Sequence, residues 1–175
     1  MPRLPCHALN REDGAGLRLP RIHAQMKSCA VSIHDLSRVS LSGKRRLPRF
    51  NMPFEAGMAY ALHADGRGAR RHQLLVLDAK AWQVSVSLSD LAGLDPKIHA
   101  NKPIRAIHAV RAFFAQMYPD IRFRDSRVIK RRYVSFISAL PRMARENKLS
   151  ATGLRSWDSV ADLQYVMAGW IRENE

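Results

Sequence analysis

Glu55 is the residue of this sequence best placed to do chemistry. It is the only acid in Asn51-Met52-Pro53-Phe54-Glu55-Ala56-Gly57-Met58-Ala59. Pro53 suits the first turn of a helix, where its missing N–H costs nothing, and Asn51 or a neighbour can cap the free backbone donors. A carboxylate in that turn is favoured by the helix dipole. The residues from Ala56 to Leu62 are small and apolar all round, so this helix is expected to be buried and to approach other groups closely. Two roles stay open for Glu55. It acts on a bound substrate, or it is a first-turn acid paired with a nearby arginine.

The remaining chemical candidates are fewer. His34-Asp35 reads either as a proton-transfer pair or as a turn in which Asp35 caps the backbone that follows it, and the turn needs nothing more. Seven histidines, at 7, 23, 34, 63, 72, 99 and 108, show no metal-ligand spacing with a second Cys, Asp or Glu, and no metal is expected. Gly66-Arg67-Gly68 lacks a third glycine and precedes a strand, which removes a glycine-rich phosphate loop. No nucleophile elbow or Ser-His-Asp order appears.

These residues need elements to position them. Ile22 and Met26 recur at helical spacing between Leu19 and Ser28, ahead of a strand Cys29–Ile33. A polar loop from His34 to Phe50 leads into the helix bearing Glu55, which runs to about His63. Gln73–Leu77 is a short apolar run, as expected for a strand covered on both faces of a parallel sheet. An edge strand is expected over Trp82–Ser89, then a loop over Asp90–Pro96, then a helix opened by Pro103 with an apolar stripe from Ile104 to Met117. Beyond Pro119 two amphipathic helices follow, Val128–Asn147 and Asp158–Arg172, the first kinked or broken by Pro141. The reading is therefore an α/β domain over residues 1–119 and a helical extension over residues 120–175. Cys6–Leu9 is a further short strand candidate in an otherwise poorly specified N-terminal segment.

Composition bounds the class. A chain of 175 residues that is 46% hydrophobic and 25% charged can bury a real core. No apolar run reaches bilayer length, the N-terminus does not have the order of a signal peptide, and two cysteines fit a reducing compartment, so a cytosolic protein without membrane contact is expected. The net charge of +14, from 29 Lys and Arg against 15 Asp and Glu, suits an anionic partner or a solvated basic face. Lys44-Arg45-Arg46, Arg67 to His72 and Lys130-Arg131-Arg132 make nucleic acid the alternative partner, although only Phe50, Tyr133 and Phe136 lie near them as stacking groups.

Three blocks taken together, Ser32-Ile33-His34-Asp35-Leu36-Ser37-Arg38, Leu47 to Gly57 and Ser89-Asp90-Leu91-Ala92-Gly93-Leu94-Asp95, resemble a group of uncharacterised bacterial TIR-like proteins. These are related in turn to the TIR and nucleoside 2-deoxyribosyltransferase-like domains. The similarity covers roughly Cys6 to Phe114. It implies a flavodoxin-like parallel sheet that binds a nucleotide and cleaves an N-glycosidic bond, with NAD as a candidate substrate and no cofactor, in bacterial defence or signalling and often as a homo-oligomer. It also implies that Glu55 is catalytic, and that Asp35, Ser37 and Asn51 hold ribose hydroxyls while Arg38 or Arg49 meets phosphates. Ser89 and Asp90 join them as ligand-binding residues. Members of the group usually carry a strand and helix ahead of the segment matching Cys6–Leu9, so the domain is expected to be N-terminally shortened. A sensing module without turnover is the alternative function.

Overall fold

A computed structural model describes residues 18–37, 41–42, 47–48, 50–66, 71–81, 95–156 and 159–174. The expected strands Cys6–Leu9 and Trp82–Ser89, most of the loop after the latter, and Arg38, Arg49, Ser89 and Asp90 lie outside the described residues. The described chain forms helix α1 (Arg18–Ser28), strands β1 (Val31–Asp35), β2 (Leu41–Ser42) and β3 (Leu47–Pro48), helix α2 (Asn51–Asp65), and strands β4 (Gln73–Asp78) and β5 (Lys97–Ile98). Helices α3 (Pro103–Met117), α4 (Ser126–Glu146) and α5 (Val160–Glu173) complete it. It divides into two compact units, an α/β unit over Leu19–Val128 and a helical unit from Ile129 onward.

In the α/β unit β1, β4 and β5 form an all-parallel open sheet in the order β1-β4-β5. Side chains alternate across a strand, so the pairing of His34 with Val76 and of Asp35 with Leu77 sorts the residues by face. Ser32, His34 and Leu36 share one face with Leu74, Val76 and Asp78. Ile33 and Asp35 share the other with Leu75, Leu77 and Lys97. Helix α2 covers the first face, where Ala56 packs with Leu36 and Val76. Helix α3 lies against β4 and β5, with Ile104 and Ala109 sharing a cleft wall with Leu75 of the second face.

Three details depart from the sequence reading. β1 runs two residues later than Cys29–Ile33, and a shift by two leaves every side chain on its expected face. Asn51 does not cap α2: it is already the first helical residue, Phe50 occupies the N-cap position, and no side chain makes a capping bond there. The loop from His34 to Phe50 contains a two-residue antiparallel pairing of β2 with β3.

The helical unit is built on a dense cluster of Phe136, Leu140, Met143, Ala144, Leu154, Val166 and Trp170. Pro141 does not break α4. A mid-helix proline costs about 3 kcal/mol, but buried residues on both sides of it, Phe136 and Leu140 before and Met143 and Ala144 after, hold the helix in one core. Arg132, from the third basic cluster, sits 5.7 Å from the ring centre of Trp170, so part of that charge packs on the core's aromatic edge. No helix among the described residues is long and apolar enough to cross a membrane.

Candidate functional site

The carboxyl ends of β1, β4 and β5 bring polar groups together, as parallel sheets do at their ligand-binding edge. Asp35, the last residue of β1, accepts the backbone N–H of Ser37 on Oδ1 at 3.0 Å. This is the self-capping turn expected of it. His99, just past β5, reaches the same oxygen with Nε2 at 3.4 Å. The His99 backbone is tied to the end of β4 by its N–H to the Asp78 carbonyl at 2.9 Å. Its ring is oriented from behind, because the N–H of Asn101 donates to Nδ1 at 3.1 Å. An Nδ1 that accepts leaves the proton on Nε2, so His99 donates to Asp35.

The loop that makes this possible has an uncommon backbone. Ala100 and Asn101 have φ of 50° and 55°, the left-handed region that costs a non-glycine residue about 1 kcal/mol or more. The Lys102 N–H closes the turn on the His99 carbonyl at 2.8 Å, and Pro103 opens α3. Burial alone would raise the Asp35 carboxyl's pKa. The hydrogen bonds from Ser37 and then His99 outweigh it and hold the group below the usual carboxylate range. Asp35 is thus a fixed anion with its side chain 51% exposed.

Glu55 lies on the first turns of α2 and is 8% exposed, in a row with the buried Pro53, Ala56 and Ala59. It therefore reaches the carboxyl edge from the α2 face of the sheet, whereas Asp35 and His99 reach it from the α3 face. A ligand touching both must lie across the strand ends. Asn51 is exposed at the start of α2, and Phe50 and Phe54 beside it are 65% and 54% exposed. The structure joins Asp35 and Ser37 by a hydrogen bond and places Glu55 and Asn51 on the adjoining helix start. Arg38, Arg49, Ser89 and Asp90 are outside the described residues.

His34, His63 and His72 of this unit serve the fold. His34 is buried on the α2 face, with both ring nitrogens lacking a hydrogen-bond partner among the described residues. Burial, then the neighbouring His72, pushes its pKa down to about 4. Strand alternation turns it to the face opposite Asp35, so the two adjacent residues are no proton-transfer pair. His72 bonds the Cys29 carbonyl at 3.0 Å and the Ser32 hydroxyl at 2.8 Å, and His63 donates to the His72 carbonyl at 2.6 Å. Together they tie the end of α2 to the start of β4, at the opposite edge of the sheet. No three His, Cys, Asp or Glu among the described residues form a metal-binding group.

Sequence reasoning missed His99 and Asp78. Asp78 is fully buried at the end of β4, where Oδ1 accepts the Ala79 N–H at 2.6 Å and Oδ2 has no partner among the described residues. The signal for His99 was its place just before the proline-opened α3, since a residue between a parallel strand and its following helix stands at the carboxyl edge. Comparison with protein-family models, with curated proteins and with solved structures gives no match for the chain.

Proposed function

We propose that the chain is a flavodoxin-like, TIR-like domain, that it binds a nucleotide across the carboxyl edge of its sheet, and that it cleaves the N-glycosidic bond of NAD or a related nucleotide. The convergence of Ser37 and His99 on the exposed, ionised carboxylate of Asp35 at that edge, beside the helix start that carries Glu55, is the observation that supports this reading most. In it, Asp35 accepts the ribose hydroxyls. Glu55 stabilises the positive charge that builds on the anomeric carbon as the C–N bond breaks and nicotinamide leaves with the bonding electrons, and water then supplies the new C–O bond. The protein acts in this way in bacterial defence or signalling, as a homo-oligomer.

Nicotinamide release by purified protein, measured over a range of chain concentrations, tests the reading. Wild type should turn over NAD and Glu55→Gln should not. Failure of wild type at every concentration would sink the enzyme reading, and a thermal shift with NAD in that case would leave a sensor. A second reading rests on Phe50 and Phe54. They are exposed at the N-cap and in the first turn of α2, and they follow the basic residues Lys44-Arg45-Arg46 in the sequence, as a stacking surface for single-stranded nucleic acid would. Labelled oligonucleotide anisotropy at rising salt, with Phe50→Ala and Phe54→Ala, tests that surface.

A further inference from the structure

A cleft of about 900 Å³ opens in the α/β unit between β5, α3 and the start of α4. Its size is that of small-molecule sites. Asp35, Ser37, His99 and Glu55 do not line it. Its walls are apolar, with Leu75 of β4, Ile98 of β5, and Ile104, Ala112 and Phe113 of α3. Its charged groups among the described residues are the exposed Lys97, Arg105 and Arg127, against one carboxylate, Asp125.

Two further observations say that this cleft is unfinished as a piece of core. Of the apolar stripe of α3, Ile104 and Phe113 reach this cleft, and none of the helix's 15 residues is buried. A helix of that pattern ordinarily seals its stripe against a neighbour. The cleft is also where α4, of 21 residues, begins. Ser126 there is 6% exposed, with its hydroxyl 3.4 Å from Nδ1 of His108. Asp125 takes the Arg127 N–H at 2.8 Å.

We propose that this cleft binds a small amphiphile with an apolar body and one anionic head, a medium-chain carboxylate or phosphate monoester. The body packs against Ile104, Ala112 and Phe113 of α3 and Leu75 of β4. The head meets Arg105, Arg127 and Lys97 at the start of α4. This site is independent of the nucleotide reading.

Anilinonaphthalene sulfonate, itself an apolar body with one anionic group, is the probe. Titration of the full chain should give saturable fluorescence with a single site, displaced by decanoate or decyl phosphate below their micelle concentrations and not by decyltrimethylammonium. The stronger of the two anionic competitors identifies the head group. Arg105→Glu with Arg127→Glu changes only exposed side chains and should weaken the probe about tenfold or more, with near-UV circular dichroism unchanged. Ala112→Trp fills the cleft and should abolish binding. Undiminished binding in the double variant, or equal displacement by the cationic amphiphile, would overturn the proposal. So would a chain that dimerises through this face and excludes the probe.

Discussion

The two faces of the central strand β4 are packed in different ways. On one, α2 has four buried residues, Glu55 among them, and its Ala56 packs with Leu36 and Val76. On the other, α3 buries none of its residues and leaves a cleft against Leu75 and Lys97. Apolar composition does not separate the two helices, because both are rich in it. The difference lies in side-chain size at the contact. Ala56 and Ala59 are fully buried on α2, whereas the larger Ile104 and Phe113 of α3 line an open cleft. The α2 face holds a buried carboxylate, Glu55, and the α3 face keeps an open cleft.

The largest expected effect is on the sealed face. Leu36→Ala removes a side chain that is 1% exposed and should lower stability by about 3 kcal/mol, while Phe113→Ala on the half-buried α3 face should cost clearly less despite its larger volume. Denaturant midpoints of the two variants measure this directly, and equal losses would erase the contrast. Next comes pH. His34 is neutral in the fold with a pKa pushed down to about 4, so the unfolded chain takes up its proton first. Stability is therefore full above pH of about 6.5 and falls by about 3 kcal/mol as pH drops toward 4. His34→Leu should remove most of that slope in chemical denaturation at a series of pH values.

Smaller effects are expected at the carboxyl edge. Asp35→Asn should change stability by no more than about 1 kcal/mol, since the side chain is half exposed. Because its pKa is depressed, the stability that Asp35 contributes is present above its unfolded pKa and lost only as pH falls through the lower folded value. The acid limb below pH of about 4 should flatten in the variant. Ala100→Gly is the smallest change. It relieves a left-handed alanine and should raise stability by at most about 1 kcal/mol, with the thermal midpoint as the readout.

Much of this arrangement was legible before any coordinates. Ile22 and Met26, the run from Gln73, the stripe after Pro103 and the two C-terminal helices each span enough periods to declare themselves, and the helix of Glu55 was marked by Pro53 and its small residues. β5, β2 and β3 were not legible, because two residues carry no periodicity. Missing β5 meant missing His99, whose role exists only through strand order: it reaches Asp35 past the end of β4, 64 residues away in the chain. Pro141 misled for the opposite reason. Its local cost is real, and only the tertiary cluster around it shows why the helix continues.

The central claim is that a nucleotide lies across the strand ends, held by Asp35 and acted on by Glu55. Calorimetric titration of NAD into wild type, Asp35→Asn and Glu55→Gln, with nicotinamide followed in the same samples, tests it most directly. The account predicts binding weakened about tenfold in Asp35→Asn, and binding retained but turnover lost in Glu55→Gln. Unchanged affinity in Asp35→Asn, or turnover that survives Glu55→Gln, would contradict it.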